Sequence, residues 1–76
     1  MITVVVVDDH PVVRAGMREV LEAAADVRVV AEGASGTEAL MLIDRLPPDV
    51  LLLDVRLPDL SGVEVTQRLQ ERGVDT

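Results

Sequence analysis

The chain has 76 residues, enough for one small domain, because domains usually contain about 100–200 residues. Fourteen acidic and seven basic residues give a formal net charge of −7, so we do not expect the chain to bind DNA by itself. Cysteine, Phe, Trp and Tyr are all missing, and the apolar runs are far shorter than the roughly 20 residues that span a bilayer. These features exclude disulfides, thiolate metal sites and a membrane partner, and they predict an aliphatic core and a cytoplasmic location.

The first strand and helix are clearly marked in the sequence. Ile2–Val7 is a continuous β-branched run, which is typical of a strand covered on both faces. His10-Pro11 leads into a helix, since proline suits the first helical position, and Asp26 ends it. Apolar residues recur along this helix at spacings of three and four: Val13, Met17, Val20, Leu21 and Ala24. Residues 27–31 are predicted as a second short strand, followed by a turn at residues 32–34.

Two Ser-x-x-Glu patterns predict the starts of the next helices, because the two side chains satisfy backbone N–H groups of the first helical turn. The patterns are Ser35 with Glu38 and Ser61 with Glu64. The residues predicted to face inward on these helices are Ala39, Leu40, Ile43, Leu46, Val65 and Leu69. Between the helices, residues 50–55 form the third strand and residues 57–60 a loop. The third helix is predicted to end near Gly73.

The order of these elements favours one fold class. Strands that alternate with helices pair in parallel through right-handed crossovers, so the β-α-β-α-β-α order predicts an α/β fold with a doubly wound parallel sheet. If the first strand lies between the other two, in the order 2-1-3, the chain reverses its direction of growth between strands one and three. The carboxyl ends of those two strands then meet at one crevice, which is where such sheets bind ligands.

Acidic residues follow both of these strands. Asp8 and Asp9 come directly after the first apolar run, and Asp54 comes directly after residues 50–53. Two carboxylates about 4 Å apart repel by roughly 4 kcal/mol at an effective dielectric constant of about 20, so three of them require protons or a cation. Oxygen ligands in a partly open crevice suit Mg²⁺, and a twelve-residue calcium loop is missing. A carboxylate beside Mg²⁺ can attack phosphorus, so the pattern predicts phosphoryl transfer.

Three segments carry a resemblance to a known family: Val7-Asp8-Asp9-His10-Pro11, Leu52-Leu53-Asp54-Val55-Arg56-Leu57-Pro58, and Ser61-Gly62. Together they resemble the receiver domain of two-component response regulators, which has the flavodoxin-like fold of CheY. The run Arg14-Ala15-Gly16 resembles the NarL/FixJ type, whose members are usually transcription factors. The resemblance extends over the whole chain.

This resemblance implies a role for each acidic residue. Asp54 is expected to be the phosphoacceptor, and Asp8, Asp9 and Asp54 are expected to hold Mg²⁺ together with the backbone carbonyl of Arg56. The implied donor is a phosphohistidine of a sensor histidine kinase. Binding to DNA is expected only through a C-terminal helix-turn-helix domain of the parent protein. The chain is accordingly interpreted as a phosphoacceptor module rather than a turnover enzyme.

The family pattern continues past the residues of this chain. Receiver domains have two further strand and helix units, which carry a Ser or Thr and a Lys that contact the phosphoryl group. This sequence contains no Lys, and Thr76 does not match that Ser or Thr. We therefore expect residues 1–76 to correspond to the first three-fifths of a receiver domain, an incomplete fold without its effector domain. Such a chain should be phosphorylated poorly and should self-associate through the exposed edge of the third strand.

Two other functions fit parts of the pattern. A haloacid-dehalogenase-type phosphatase also places a nucleophilic Asp at a strand end, but its general acid is an Asp two residues later, where this sequence has Arg56. The alternative is a truncated, non-phosphorylatable interaction or dimerisation module, which the absence of Lys favours and the three acids oppose. A phosphorylation assay with acetyl phosphate and Mg²⁺ separates this alternative from a working phosphoacceptor.

Other polar residues near these motifs have simpler interpretations. His10 is interpreted as the residue that leads into the first helix, without a chemical role, because the chain has no second His to help bind a metal. Arg14 and Arg18 are interpreted as part of a solvated helix face. Asp49 and Asp59 are interpreted as turn residues.

Overall fold

The structure is a computed structural model that describes residues 1–73. Its elements are β1 (Ile2–Val7), α1 (Pro11–Glu22), β2 (Val27–Gly33), α2 (Gly36–Arg45), β3 (Val50–Leu53) and α3 (Gly62–Glu71). All strand pairs are parallel, and β1 lies between β2 and β3. The predicted α/β fold and its strand order 2-1-3 are confirmed. The prediction for Thr76 falls outside the described residues.

Three element boundaries differ from the predictions. β2 continues to Gly33 where a turn was predicted, because a register shift after Val4 lets residues 31–33 pair with residues 5–7 of β1. α1 ends at Glu22 rather than Asp26, since residues 23–26 form turns in which Ala24 and Val27 donate backbone hydrogen bonds to Leu21 and Ala24. β3 ends at Leu53 rather than at residue 55, because the chain turns at Asp54, whose side chain accepts the N–H of Arg56.

The two predicted Ser-x-x-Glu helix starts are confirmed. The hydroxyl of Ser35 accepts the backbone N–H of Glu38 at 3.1 Å, and the hydroxyl of Ser61 accepts that of Glu64 at 3.1 Å. Each bond satisfies one of the N–H groups that a helix start leaves without an intrahelical partner. Local sequence therefore fixes where α2 and α3 begin.

The two faces of the sheet differ in their cover. One face presents Val5 and Val7 of β1 to α2 and α3. The helix residues buried against that face are Ala39, Leu40, Ile43, Val65 and Leu69. The other face presents Val4 and Val6 to α1, which contributes no fully buried residue and packs through Met17 and Leu21. Both faces of β1 are covered, as its continuous β-branched run predicted.

The inward face predicted for α1 is partly wrong. Val13 and Val20 belong to the predicted apolar pattern, yet they are 47% and 75% exposed. α1 packs mainly against β1 and β2, so only a narrow stripe of its side chains faces the sheet. Leu46 of α2, also predicted to face inward, is 50% exposed at the cap of its helix. Among residues 1–73, every helix is too short or too polar to cross a membrane.

Candidate functional site

Backbone pairing brings the predicted acids to one edge of the sheet. Val7 of β1 and Leu53 of β3 are register partners, so the residues that follow them, Asp8 and Asp54, leave the sheet side by side. The N–H of Asp54 donates to the carbonyl of Val7 at 3.0 Å. The N–H of Asp8 donates to the carbonyl of Gly33 in β2 at 3.1 Å. Asp8 therefore lies at the carboxyl end of the central strand, in the crevice between β2 and β3.

Four side chains form the acidic cluster, which we define as Asp8, Asp9, His10 and Asp54. Each offers one ligand atom, and these atoms all lie within 4.8 Å of one another. The three carboxylates were predicted to converge, and the structure brings them together. His10 was missed, because it was interpreted only as the residue before α1. It does occupy that N-cap position, and its place directly after Asp8 and Asp9 was the signal that its ring could lie beside them.

The His10 ring lies directly against two carboxylates. Its Nδ1 atom is 3.0 Å from Oδ1 of Asp8 and 2.9 Å from Oδ1 of Asp9, while 67% of the side chain is exposed. The hydrogen bond with Asp8 raises the pKa of His10, and the negative charge of Asp9 adds to that effect. A protonated imidazole can thus share the cluster with the carboxylates, and its positive charge opposes that of a metal ion bound beside it.

Asp8 is the buried member of the cluster, with 4% of its surface exposed. Its Oδ1 atom accepts the backbone N–H of His10 at 2.8 Å. That bond lowers the pKa of Asp8, against the opposing effect of burial, and the His10 ring and the charge of Arg14 lower it further. Because hydrogen bonds to the charged form outweigh desolvation, Asp8 stays ionised at neutral pH and offers a permanent negative charge.

Arg14 lies against the cluster rather than on a solvated face, which corrects its interpretation from sequence. Its Nη1 atom donates to the backbone carbonyl of Asp8 at 2.8 Å, and its Nε atom is 3.3 Å from Oε1 of Glu32. Only 22% of the Arg14 side chain is exposed. The interpretation failed because Glu32 was assigned to a turn, whereas the longer β2 carries it to the side of α1. Arg18, which is 51% exposed and pairs with Glu22 and Glu32, lies on the solvated face as predicted.

The β3–α3 loop, residues 54–61, folds back on Asp54. The N–H of Arg56 donates to Oδ1 of Asp54 at 3.1 Å, and Arg56 forms an antiparallel bridge with Ser61. At the end of the loop, the N–H of Gly62 donates to the carbonyl of Val55 at 2.9 Å. The backbone of Arg56 is thus held beside Asp54. The role of its carbonyl as a ligand stays a prediction.

Gly62 allows this close return of the loop. A Cβ atom at this position would lie 2.9 Å from the carbonyl oxygen of Asp54 and 3.1 Å from Cα of Val55. Both contacts are to backbone atoms, which cannot move aside as the end of a long side chain can. A residue larger than glycine would therefore push the start of α3 away from Asp54.

The donor set fits Mg²⁺. The hydrogen bonds that the described residues give to Asp8 and Asp54 go to Oδ1 of each side chain, so the second oxygen of each carboxylate is available to a cation. Mg²⁺ is usually bound by one or two carboxylates and keeps several waters, rather than being enclosed by protein ligands. Asp9, with 34% of its side chain exposed, leaves the cluster open to solvent and to a phosphate group.

Comparison with known proteins gives consistent matches over almost the whole chain. The chain is 35% identical over 72 residues to the nitrate/nitrite response regulator protein NarL of Escherichia coli strain K12, covering 95% of this chain and 33% of that protein. It is 43% identical over 70 residues to the response regulator protein VraR of Staphylococcus aureus strain Mu3, covering 92% of this chain and 34% of the relative. The chain thus spans about one third of the length of these relatives.

Solved structures agree with these matches. The signal receiver domain of the response regulator NarL from Mycobacterium tuberculosis superposes with a TM-score of 0.93 at 40% identity, covering 96% of this chain and 59% of that one. The response regulator domain of Thermotoga maritima CheB superposes with a TM-score of 0.90 at 31% identity, covering 93% and 53%. The family model described as the response regulator receiver domain matches residues 4–76. The chain therefore belongs to the response regulator receiver domain family.

Proposed function

We propose that this chain accepts a phosphoryl group on Asp54 from a phosphohistidine of a sensor histidine kinase, as a cytoplasmic event in two-component signalling. The observation that carries the proposal is the convergence of Asp8, Asp9 and Asp54 within 4.8 Å at the carboxyl ends of β1 and β3. Similarity to NarL, and to the transcriptional regulatory protein DegU of Brevibacillus brevis at 38% identity, supports a parent protein that regulates transcription. Such a parent would bind DNA through a separate C-terminal helix-turn-helix domain.

The proposed reaction uses Asp54 as a nucleophile. One carboxylate oxygen attacks the phosphorus atom of the phosphohistidine, and a P–O bond forms as the P–N bond breaks. The electron pair leaves with the imidazole nitrogen, which then takes a proton from water. The product is an acyl phosphate on Asp54, so the chain is itself modified and does not turn over like an enzyme.

Three contacts prepare the residues for this step. The N–H of Arg56 orients Asp54, the N–H of His10 keeps Asp8 ionised, and Arg14 fixes the backbone carbonyl of Asp8. Asp8, Asp9, Asp54 and the carbonyl of Arg56 would hold Mg²⁺. The bound ion supplies positive charge that neutralises the phosphoryl oxygens.

The test is incubation with acetyl phosphate and Mg²⁺, followed by intact-mass measurement. We expect a mass gain of one phosphoryl group in the unmodified chain and in the control Asp49→Asn, whose carboxylate lies at the opposite end of the sheet. Asp54→Asn should show no gain, because it removes the nucleophilic oxygen. An equal gain in Asp54→Asn would overturn the proposal. Because the chain has no Lys to pair with the phosphoryl oxygens, a low yield is expected, and an efficient, long-lived modification would contradict that part.

A second candidate function is an interaction or dimerisation module. Within residues 1–73, β3 pairs with β1 on one side only, so its other edge offers free backbone groups. An open groove of about 370 Å³ lies beside this edge, between β3 and α3. The groove is lined by Leu51, Leu53, Val55, Gly62, Val63, Thr66 and Gln67. Light scattering over a range of concentrations tests self-association through this edge, and a monomer at every concentration would reject it.

A further inference from the structure

Asp59 makes more hydrogen bonds than a turn residue requires. Its Oδ1 atom accepts the backbone N–H groups of Gly36 at 2.8 Å and Leu60 at 2.9 Å. Its Oδ2 atom accepts the N–H of Thr37 at 3.0 Å and also the Thr37 hydroxyl. The interpretation of Asp59 as a turn residue is therefore incomplete, since its carboxylate reaches a helix 22 residues earlier in the chain.

The site that receives Asp59 is the amino terminus of α2. Gly36 and Thr37 are the first two residues of this helix, and their N–H groups have no intrahelical partner. A carboxylate is also stabilised at a helix amino terminus by the helix dipole. The Thr37 hydroxyl is the largest cause of the lowered pKa of Asp59, and the three backbone N–H groups add to it. Asp59 is consequently an anion whenever the protein is near neutral pH.

Packing around these bonds is tight. A Cβ atom at Gly36 would lie 2.6 Å from Cβ of Leu60 and 3.1 Å from Cγ2 of Val65. The β3–α3 loop and the start of α2 therefore touch directly, with Val65 fully buried beneath them. Such contact fixes both the distance and the orientation between loop and helix.

The loop held by Asp59 also presents the phosphoacceptor region. It runs from Asp54 to Ser61 and closes on itself through the bridge between Arg56 and Ser61 and the bond from Gly62 to Val55. These internal bonds give the loop its shape. The hydrogen bonds between Asp59 and α2 hold the loop in position relative to the rest of the fold.

We propose that Asp59 is a positioning residue for the acidic cluster: by anchoring the loop to α2, it holds the backbone of Arg56 and the carboxylate of Asp54 where Asp8 and Asp9 can share Mg²⁺ with them. The inference rests on the proposed function, because it concerns the same metal site. It adds a residue that touches neither the metal nor the phosphoryl group, and that acts through the loop.

Asp49 provides a matched control. Its Oδ2 atom accepts the backbone N–H of Thr3 at 2.8 Å and the Thr3 hydroxyl at 3.0 Å, the same combination of donors that Thr37 gives to Asp59. Hydrogen bonds from Thr3 lower the pKa of Asp49, as those from Thr37 do for Asp59. Asp49 precedes β3, so it lies at the amino end of the sheet, opposite the acidic cluster. Replacing Asp49 removes similar hydrogen bonds from a Thr residue but leaves the β3–α3 loop unchanged.

The experiment is a calorimetric titration of Mg²⁺ into the unmodified chain, Asp59→Ala and Asp49→Ala, with the melting temperature of each variant measured in parallel. Asp59→Ala should bind Mg²⁺ about fivefold more weakly, since a residue that acts on a site only through intervening structure has effects of about this size. Asp49→Ala should stay within about twofold of the unmodified chain, because distant sites act independently. A purely structural role for Asp59 would lower both melting temperatures and leave both Mg²⁺ affinities alike.

Amide exchange in the unmodified chain gives a second test that does not depend on a variant folding. Coupling between two sites is reciprocal, so saturating Mg²⁺ should slow hydrogen exchange at the amides of Gly36 and Thr37. Unchanged exchange there, or Mg²⁺ affinity in Asp59→Ala equal to that of the unmodified chain, would overturn the inference alone. Failure of the unmodified chain to bind Mg²⁺ would overturn the proposed metal site, and the inference with it.

Discussion

Carboxylates at the two ends of the sheet have opposite surroundings. At the amino end, Asp49 accepts two hydrogen bonds from Thr3, and the Thr3 backbone N–H is the main cause of its lowered pKa. At the carboxyl end, three carboxylates lie within 4.8 Å of one another, and Asp54 accepts a longer bond of 3.1 Å from Arg56. A carboxylate that has its own donors ties two segments together. Asp8 also accepts a backbone N–H, from His10, but it lies beside two further carboxylates, and their mutual repulsion favours a bound cation.

The carboxyl end also depends on a close backbone approach, and Gly62→Ala is the change that should disturb it most. Its Cβ atom would lie 2.9 Å from the carbonyl oxygen of Asp54, so the start of α3 must shift. We expect a loss of about 1–3 kcal/mol in the free energy of unfolding, the usual cost of overpacking. Urea unfolding measures it.

Gly16→Ala is the control for this change. Gly16 lies within α1, and a Cβ atom there would meet nothing within 4 Å. Since alanine is the better helix former, this variant should gain roughly 0.5–1 kcal/mol. Equal effects of the two substitutions would mean that the return of the loop towards Asp54 does not require glycine.

Replacing one acid at each end should change stability in opposite directions. In buffer without divalent cations, Asp54→Asn relieves repulsion within the cluster and keeps an oxygen for the N–H of Arg56. Its melting temperature should rise by about 4 °C, the shift that 1 kcal/mol produces in a domain of this size. Asp49→Asn should melt lower than the unmodified chain, because the amide is a weaker acceptor for Thr3. Thermal unfolding followed by circular dichroism gives the sign of the change in melting temperature for each variant. A lower melting temperature in Asp54→Asn would argue against repulsion among the acids.

At acid pH, the hydrogen bonds of Asp49 should no longer stabilise the fold. The folded protein holds the pKa of Asp49 below the ordinary value of 3.8, so its hydrogen bonds stabilise the fold above that value. The stabilisation is lost as pH falls from about 4 through the lowered pKa of the folded state. The difference in melting temperature between the unmodified chain and Asp49→Asn should therefore be largest near neutral pH and shrink below pH 3.8. A difference that grows on acidification would contradict this assignment.

The sequence predicted the strands, the helix starts and the three acids because each depends on neighbouring residues. Ile2–Val7 is β-branched throughout, and the hydroxyls of Ser35 and Ser61 accept backbone N–H groups only three residues away. Asp8 and Asp54 could be placed together because parallel strands end at one edge of a sheet. The local sequence pattern and the topology of a parallel sheet are sufficient to predict these features.

The remaining contacts depend on distances that only the folded chain sets. Asp49 and Thr3 are 46 residues apart, and Asp59 and Thr37 are 22 apart, so a local sequence pattern shows only two acids beside prolines or in loops. Arg14 meets Glu32 because β2 is longer than predicted. Val20 fits the helical period but faces solvent, since periodicity gives a helix face without showing what covers it.

The central claim is that the carboxyl end of the sheet is a cation site and the amino end is not. Calorimetric titration with Mg²⁺ of the unmodified chain, Asp9→Ala, Asp54→Ala and Asp49→Ala tests it directly. Binding should persist in Asp49→Ala and weaken by at least about tenfold in Asp9→Ala and Asp54→Ala, since losing a ligand costs no less than losing its outer partner. Equal Mg²⁺ affinity in Asp54→Ala and the unmodified chain would contradict the claim.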